Sequence, residues 1–261
     1  MKTMIQELVQ YRHLLMMLAW KDIRIRYKQS VMGFLWAVLM PLLIVAAGII
    51  VKKGISIISG KPLEISDLAS ITVKALPWSF LIGAVRFSTN SLVSNANLVT
   101  KIYFPREVFP LAAVLANLFD FAIASIATIV ILGFMGVGIS VYILWVPLLL
   151  LFLILFTAGV GMLMSCANLF FRDVKYLVEV FLTFAIFFTP VFYEASMFGK
   201  WETLLLLNPV GAILECVNAV VVLHQPPNYF WMLYAASWGI GLFLLSWNIF
   251  HRLEYSFAEN I

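Results

Sequence analysis

Arg86 and Asp120 are the residues of this sequence that most need a chemical partner, because each interrupts a long apolar run. On insertion scales an ionisable side chain at the bilayer centre costs ~2.5–3.5 kcal/mol, so it normally pairs or faces a polar cavity. Arg86 stands about as far before the connection around Lys101 as Asp120 stands after it. Two antiparallel helices would hold them at similar depth. The expectation is an Arg86–Asp120 ion pair, with direct substrate contact as the other use of the same charges. A second group is basic: Arg24, Arg26 and Lys28, with Tyr27 among them, close an N-terminal segment. A third is aromatic: Phe181, Phe184, Phe188 and Phe192 recur at helical spacing as one stripe. Either these rings pack against lipid and core, or they wall a pore on which sugar rings slide.

Catalytic chemistry has no comparable footing. Gly54 to Pro62 resembles a phosphate loop only superficially: five residues separate its glycines where four are required, and Pro62 stands where Ser or Thr would. His13, His224 and His251 are scattered without ligand spacing, so no metal site is expected. Cys166 and Cys216 fall at opposite faces and predict no disulfide within the chain. A membrane transferase acting on lipid-linked sugars would want an acidic cluster for a divalent cation. At the inner edge of the apolar runs stand only Glu107, Asp173 and Glu179, well apart in sequence. No catalytic residue or resident cofactor is expected, and any energy source must come from elsewhere.

The elements that position these residues must cross a membrane. Of 261 residues, 63% are hydrophobic and 11% charged, with a mean hydropathy of +1.01. Soluble domains carry roughly 45–50% apolar and ~25% charged residues, so lipid must solvate the excess. The net charge of +4 does not point to nucleic acid, because the basic residues lie in short segments between apolar runs. A hydrocarbon core of ~30 Å needs about 20 apolar residues in a helix. The predicted class is therefore all-α integral membrane, with six transmembrane helices at 33–51, 75–93, 108–135, 141–167, 177–193 and 229–250. The apolar stretch Leu204–Leu223 is broken at Asn208-Pro209 and carries Glu215. It predicts a re-entrant helical hairpin over 201–224 on the outer side, since broken helices at membrane depth occur where protein or water shields them.

With both termini cytoplasmic, eleven Lys and Arg residues face inward, while Lys52, Lys53, Lys61, Lys74 and Lys200 face outward, which agrees with the positive-inside rule. Before the first span, residues 4–30 form an amphipathic interface helix. Ile5, Leu8, Val9, Leu15, Met16, Ala19, Trp20, Ile23 and Tyr27 share its apolar arc. That helix is either a plain membrane anchor or also a guide for an anionic lipid headgroup or a contact for a partner. Thr157, Gly161 and Ser165 form a small-residue ridge that signals close helix packing.

Five segments in order then resemble a known family. These are Asp22 to Ser30 followed by Gly33, Trp36 and Pro41; Tyr103-Phe104-Pro105-Arg106-Glu107 with Pro110; Phe171-Arg172-Asp173; Thr189-Pro190-Val191-Phe192-Tyr193; and Asn208-Pro209 with Glu215. They resemble the ATP-binding-cassette permeases that export O-antigen, capsule and teichoic acid, over nearly the whole chain. Asn218 stands where the last motif usually has Arg, so that basic residue's role does not carry over. The resemblance implies a homodimer in the bacterial inner membrane with two copies of a separate ABC ATPase, which holds the ATP and Mg. It implies export of undecaprenyl-linked polysaccharide. It also implies that Lys101, Tyr103, Phe104, Arg106 and Glu107, helped by Arg172 and Asp173, couple to the ATPase, with Phe104 as apolar anchor. Arg24, Arg26, Tyr27 and Lys28 would draw the lipid pyrophosphate to the entrance, and Asn208, Pro209 and Glu215 would shape the exit. A small-molecule exporter and a secondary transporter are the competing readings; the latter predicts internal repeats, and none is evident.

Overall fold

The structure, a computed structural model, describes residues 9–28, 32–33, 35–60, 62–101 and 104–260, the side chains of 59, 100, 101 and 258–260 excepted. Helix α1 (Arg12–Lys28) precedes α2 (Leu35–Ser59), α3 (Ile65–Ser94), the short α4 (Ala96–Lys101) and α5 (Val108–Phe134). A 3-10 turn (Val141–Trp145) leads into α6 (Val146–Phe170), followed by α7 (Val174–Ala185) and a second 3-10 stretch (Ala195–Trp201). The chain closes with α8 (Glu202–Leu206), α9 (Pro209–Val221) and α10 (Tyr229–Asn260). Among the described residues there is no strand.

Among the described residues five helices are long and apolar enough to cross a membrane: α2, α3, α5, α6 with its leading turn, and α10. The fifth predicted span, 177–193, takes another form. Helix α7 has only 12 residues and ends at Ala185, a rise of about 18 Å, and turns and bends occupy 186–193. Leu18 and Ala19 of α1, Phe104, Leu169 and Phe257 pack in one cluster, so α1 and the close of α10 share one end of the bundle, the proximal end. Trp145 stacks on Tyr229 at the distal end, with ring centroids 5.8 Å apart. The chain therefore leaves the proximal end at α7 and reaches the distal end by α10, and residues 174–228 make a sixth crossing in pieces.

The centre of the bundle is α3, whose most apolar window is 78% buried, against 17–28% for the other four long helices. Its distal end extends ten residues beyond the predicted start because polar groups there are satisfied. Asp67 and Glu64 close a reciprocal capping box, and Lys52 of α2 pairs with Asp67 at 2.8 Å. Lys52 and Lys74, which hydropathy alone places in outer loops, are both buried. Each is held by a carboxylate, as buried charges require.

The ridge on α6 faces α3. A Cβ at Gly161 would stand 2.8 Å from Ser88 Cβ, and Ser165 and Ser91 hydroxyls hydrogen-bond at 3.1 Å. On its other side α6 meets α10 backbone to backbone, where a Cβ at Gly239 would lie 2.8 Å from the Phe152 carbonyl oxygen. Gly239→Val is expected to push α10 off α6 at a cost of ~1–3 kcal/mol. Gly241→Val, which meets nothing within 4 Å, should leave the melting temperature of the detergent-purified protein unchanged.

Candidate functional site

A cavity of about 620 Å³ opens between α2, α3 and α5, with the last turn of α1 at its proximal side. Its wall is apolar and aromatic, with Trp36, Phe80, Phe87, Phe121 and Phe192, and its polar groups are Arg26, Tyr27, Ser79, Arg86, Asn117 and Asp120. Periodicity explains the convergence: α1 buries Leu18, Ala19 and Ile23, which turns Arg26 toward α5.

Asp120 accepts from two residues of α1, Arg26 Nη1 at 2.5 Å and the Tyr27 hydroxyl at 2.5 Å. Burial, then the bond to Asp120, push the Tyr27 phenol well above its ordinary pKa, so it stays a donor. Asn117 Oδ1 accepts from Arg26 at 3.3 Å while its amide donates to Ala113 O at 2.7 Å. Gly83 leaves room for Asn117, since a Cβ there would lie 2.8 Å from Asn117 Oδ1. The Arg26 guanidinium also lies 3.8 Å from the Phe87 ring centre, a cation–π contact.

The expected Arg86–Asp120 ion pair is not formed. Arg86 Nε pairs instead with Glu179 of α7 at 2.6 Å, and Asp120 is taken by Arg26. Equal depth on neighbouring helices was not sufficient, because α1 and α7 bring nearer partners from outside the two spans. The Arg86–Glu179 pair is about half exposed, at 47% and 43%, whereas Arg26–Asp120 is at 17% and 21%. Arg86 is thus the more accessible cation of the cavity.

The aromatic stripe also divides. Phe181 and Phe184 are exposed on α7, and Phe188 is exposed beyond its end, but Phe192 is buried and reaches the cavity. Helical spacing fails after Ala185 because turns take over.

A second convergence holds the broken stretch. Asn208 caps α9, its Oδ1 accepting from Val210 N at 3.1 Å, with Pro209 at the first helical position. Its amide donates to Thr189 Oγ1 at 2.9 Å, and Gly211 lets α9 sit against Pro190. Glu215 accepts from Lys74 at 3.3 Å and from Ala195 N at 3.0 Å. Asn218 is fully buried with both amide atoms unpartnered.

The third lies at the proximal end. Phe104, expected as an anchor for a partner, is 6% exposed and stacks on Phe109 within the chain's own core. Arg106 N donates to Glu254 Oε1 at 3.0 Å, and its guanidinium donates to the Glu254 carbonyl oxygen. Glu107 is buried beside His251 of α10. Tyr103 and the Lys101 side chain lie outside the described residues. By contrast Arg172 and Asp173 are exposed, as is Phe171 beside them. Of the entrance residues, Arg24 and Lys28 are exposed while Arg26 and Tyr27 are half-buried.

Arg26, Tyr27, Arg86, Asp120 and Phe192 therefore share one cavity, drawn from three separate predicted groups. Missing from them were Asn117, Glu179, Lys74, His251 and Glu254. Two signals were legible: a lysine just before an apolar run, and His251 and Glu254 three apart on a helix. Glu179 and Asn117 give no sign of their partners in one dimension.

The family model described as ABC-2 type transporter matches residues 13–222. Among curated proteins, the O-antigen export system permease protein RfbA of Klebsiella pneumoniae is 28% identical over 249 residues, covering 94% of each chain. The protein of the same name from Myxococcus xanthus is 27% identical over 267 residues, covering 99% of each.

Proposed function

Because this chain belongs to the family of ABC-2 type transporters, as the membrane permease of an exporter whose ATPase is a separate subunit, we propose that its cargo is a polysaccharide carried on an undecaprenyl-type pyrophosphate lipid. The observation that carries this reading is the cavity itself. It sets two arginines and a tyrosine against an apolar, aromatic wall, which suits a phosphate headgroup joined to a lipid and a sugar. The full-length relatives named as O-antigen export permeases support the same cargo.

Arg86, half exposed, is the cation that first meets the headgroup, with Arg24 and Lys28 collecting it at the mouth. Asp120 and Tyr27 hold Arg26 in place from α1. The exposed aromatic face of α7, with Phe181 and Phe184, fits a passage wall completed by a second copy of the chain in a homodimer. Two ATPase copies supply ATP and Mg and grip the cytoplasmic side. In this reading the proximal end is cytoplasmic, both termini lie there, and the membrane is the bacterial inner membrane. Coupling passes through Phe171, Arg172 and Asp173, whose side chains are free to enter a partner's cleft. Arg106 and Glu107, bound to α10, then relay the push within the chain. Asn208, Pro209 and Glu215 shape the distal exit.

Cells lacking this chain should accumulate lipid-linked polymer on the cytoplasmic side and recover surface polymer when it is restored. Restoration by Phe171→Asp should fail, and that variant should lose ATPase in co-purification while keeping normal membrane levels. Unchanged surface polymer in the deletion, with altered tolerance to small toxic molecules instead, would move the cargo to the small-molecule class.

A further inference from the structure

Outside the cavity, Glu107, His251 and Glu254 make up the one group among the described residues whose side-chain ligand atoms all lie within 4.8 Å of one another. We propose that these three residues bind a divalent transition-metal ion of the zinc class, joining the start of α5 to the last turns of α10.

The separations suit such an ion. His251 Nδ1 stands 3.6 Å from Glu107 Oε1 and 3.6 Å from Glu254 Oε2. Ligands at ~2.0–2.1 Å from a tetrahedral metal are themselves roughly 3.3–3.4 Å apart, so both His251 separations are within a few tenths of an ångström of that spacing, and small side-chain rotations bring in the third. His251 and Glu254 lie three apart on one helix, and both project to the same side. A water fills the fourth position, since His251 is 37% and Glu254 19% exposed.

A second observation is independent of the spacing. Glu107 is 3% exposed, and its Oε2 has no hydrogen-bond partner. A buried carboxylate oxygen without a partner is unfavourable, and a cation is the group that best meets it. Among the described residues no Lys or Arg side chain lies within 4 Å of either carboxylate. Arg106 directs its guanidinium to the main-chain carbonyl of Glu254 instead. The cluster thus sets two carboxylates around one imidazole, a donor set that suits a divalent ion. Supporting contacts are also in place: the Arg106 amide holds Glu254 Oε1, leaving Oε2 for the metal.

The test uses the purified full-length protein in detergent, washed with chelator and titrated with Co²⁺ as a spectroscopic stand-in for Zn²⁺. The expected result is one Co²⁺ per chain with visible d–d bands, displaced by Zn²⁺, and a rise in melting temperature on adding Zn²⁺. His251→Ala and Glu254→Gln should each weaken binding at least tenfold, while His13→Ala and His224→Ala leave it unchanged. Where His251→Ala fails to fold, His251→Cys carries the test, because a ligating thiolate adds an intense charge-transfer band near the ultraviolet. No saturable visible band in the native protein, binding indifferent to His251, or no new band in His251→Cys would each overturn the proposal.

Discussion

Replacing Lys74 with Met is expected to cost ~3–5 kcal/mol of stability, the usual effect of leaving one half of a buried ion pair alone. Lys74 is 1% exposed, and its ammonium donates to the Tyr193 carbonyl at 2.6 Å and to Glu215 at 3.3 Å. One side chain thus pins α3 to the turn-rich segment after α7 and to α9. Removing it leaves Glu215 facing an apolar surround, with only the Ala195 amide still bound to it. The melting temperature of the detergent-purified protein should fall, and the loss should be mostly recovered in Lys74→Met/Glu215→Leu, where neither charge remains. Recovery of stability without recovery of export would assign the pair a second role in the distal passage. A single Lys74→Met variant that melts like the native protein would refute the structural role.

The largest effect on transport should come from the charge that α1 delivers to the cavity. Arg26→Glu sets two acids against each other where a 2.5 Å ion pair stood, and export should fall at least a hundredfold while membrane levels stay normal. Charge-assisted hydrogen bonds contribute ~1.5–3 kcal/mol each, so Tyr27→Phe, which removes one of the two donors to Asp120, should lower export roughly tenfold. The decisive comparison is between two swaps. Arg26→Asp/Asp120→Arg should recover much of the export lost in either single variant. Arg86→Asp/Asp120→Arg should not, because Arg86 is engaged with Glu179. Rescue by the second swap and not the first would reverse the assignment of partners.

Much of the molecule was legible in one dimension because the bilayer is a severe solvent. Backbone polar groups must be satisfied internally, which leaves long apolar helices as the available form. The apolar runs at 108–135 and 229–250 correspond to α5 and α10, with α10 continuing to Asn260. Asn208-Pro209 marks the start of a helix because the amide caps it and Pro needs no donor there. The cavity was half legible. Arg26, Tyr27, Arg86 and Asp120 are conspicuous as polar groups among apolar neighbours. Their pairing was not, since it depends on how far α1 reaches over α5.

Phe104 illustrates the opposite outcome. An aromatic residue in a connecting turn looks like an anchor for another protein, yet it is buried against Phe109 and the close of α10. Lys74 does too: composition counts it as a flanking charge, and only the approach of α9 from 141 positions away turns it into a buried partner.

Sequence by itself determined that this chain lives in lipid, crosses it as helices, breaks near Asn208 and carries charge at membrane depth. Those properties follow from local hydropathy and backbone hydrogen bonding, which each segment satisfies alone. Tertiary structure decided which charge meets which, that one crossing is made in pieces, and that Glu107, His251 and Glu254 converge. Such choices depend on the crossing and depth of helices far apart in the chain, and a Coulomb interaction falling with distance selects the nearest partner rather than the one suggested by spacing.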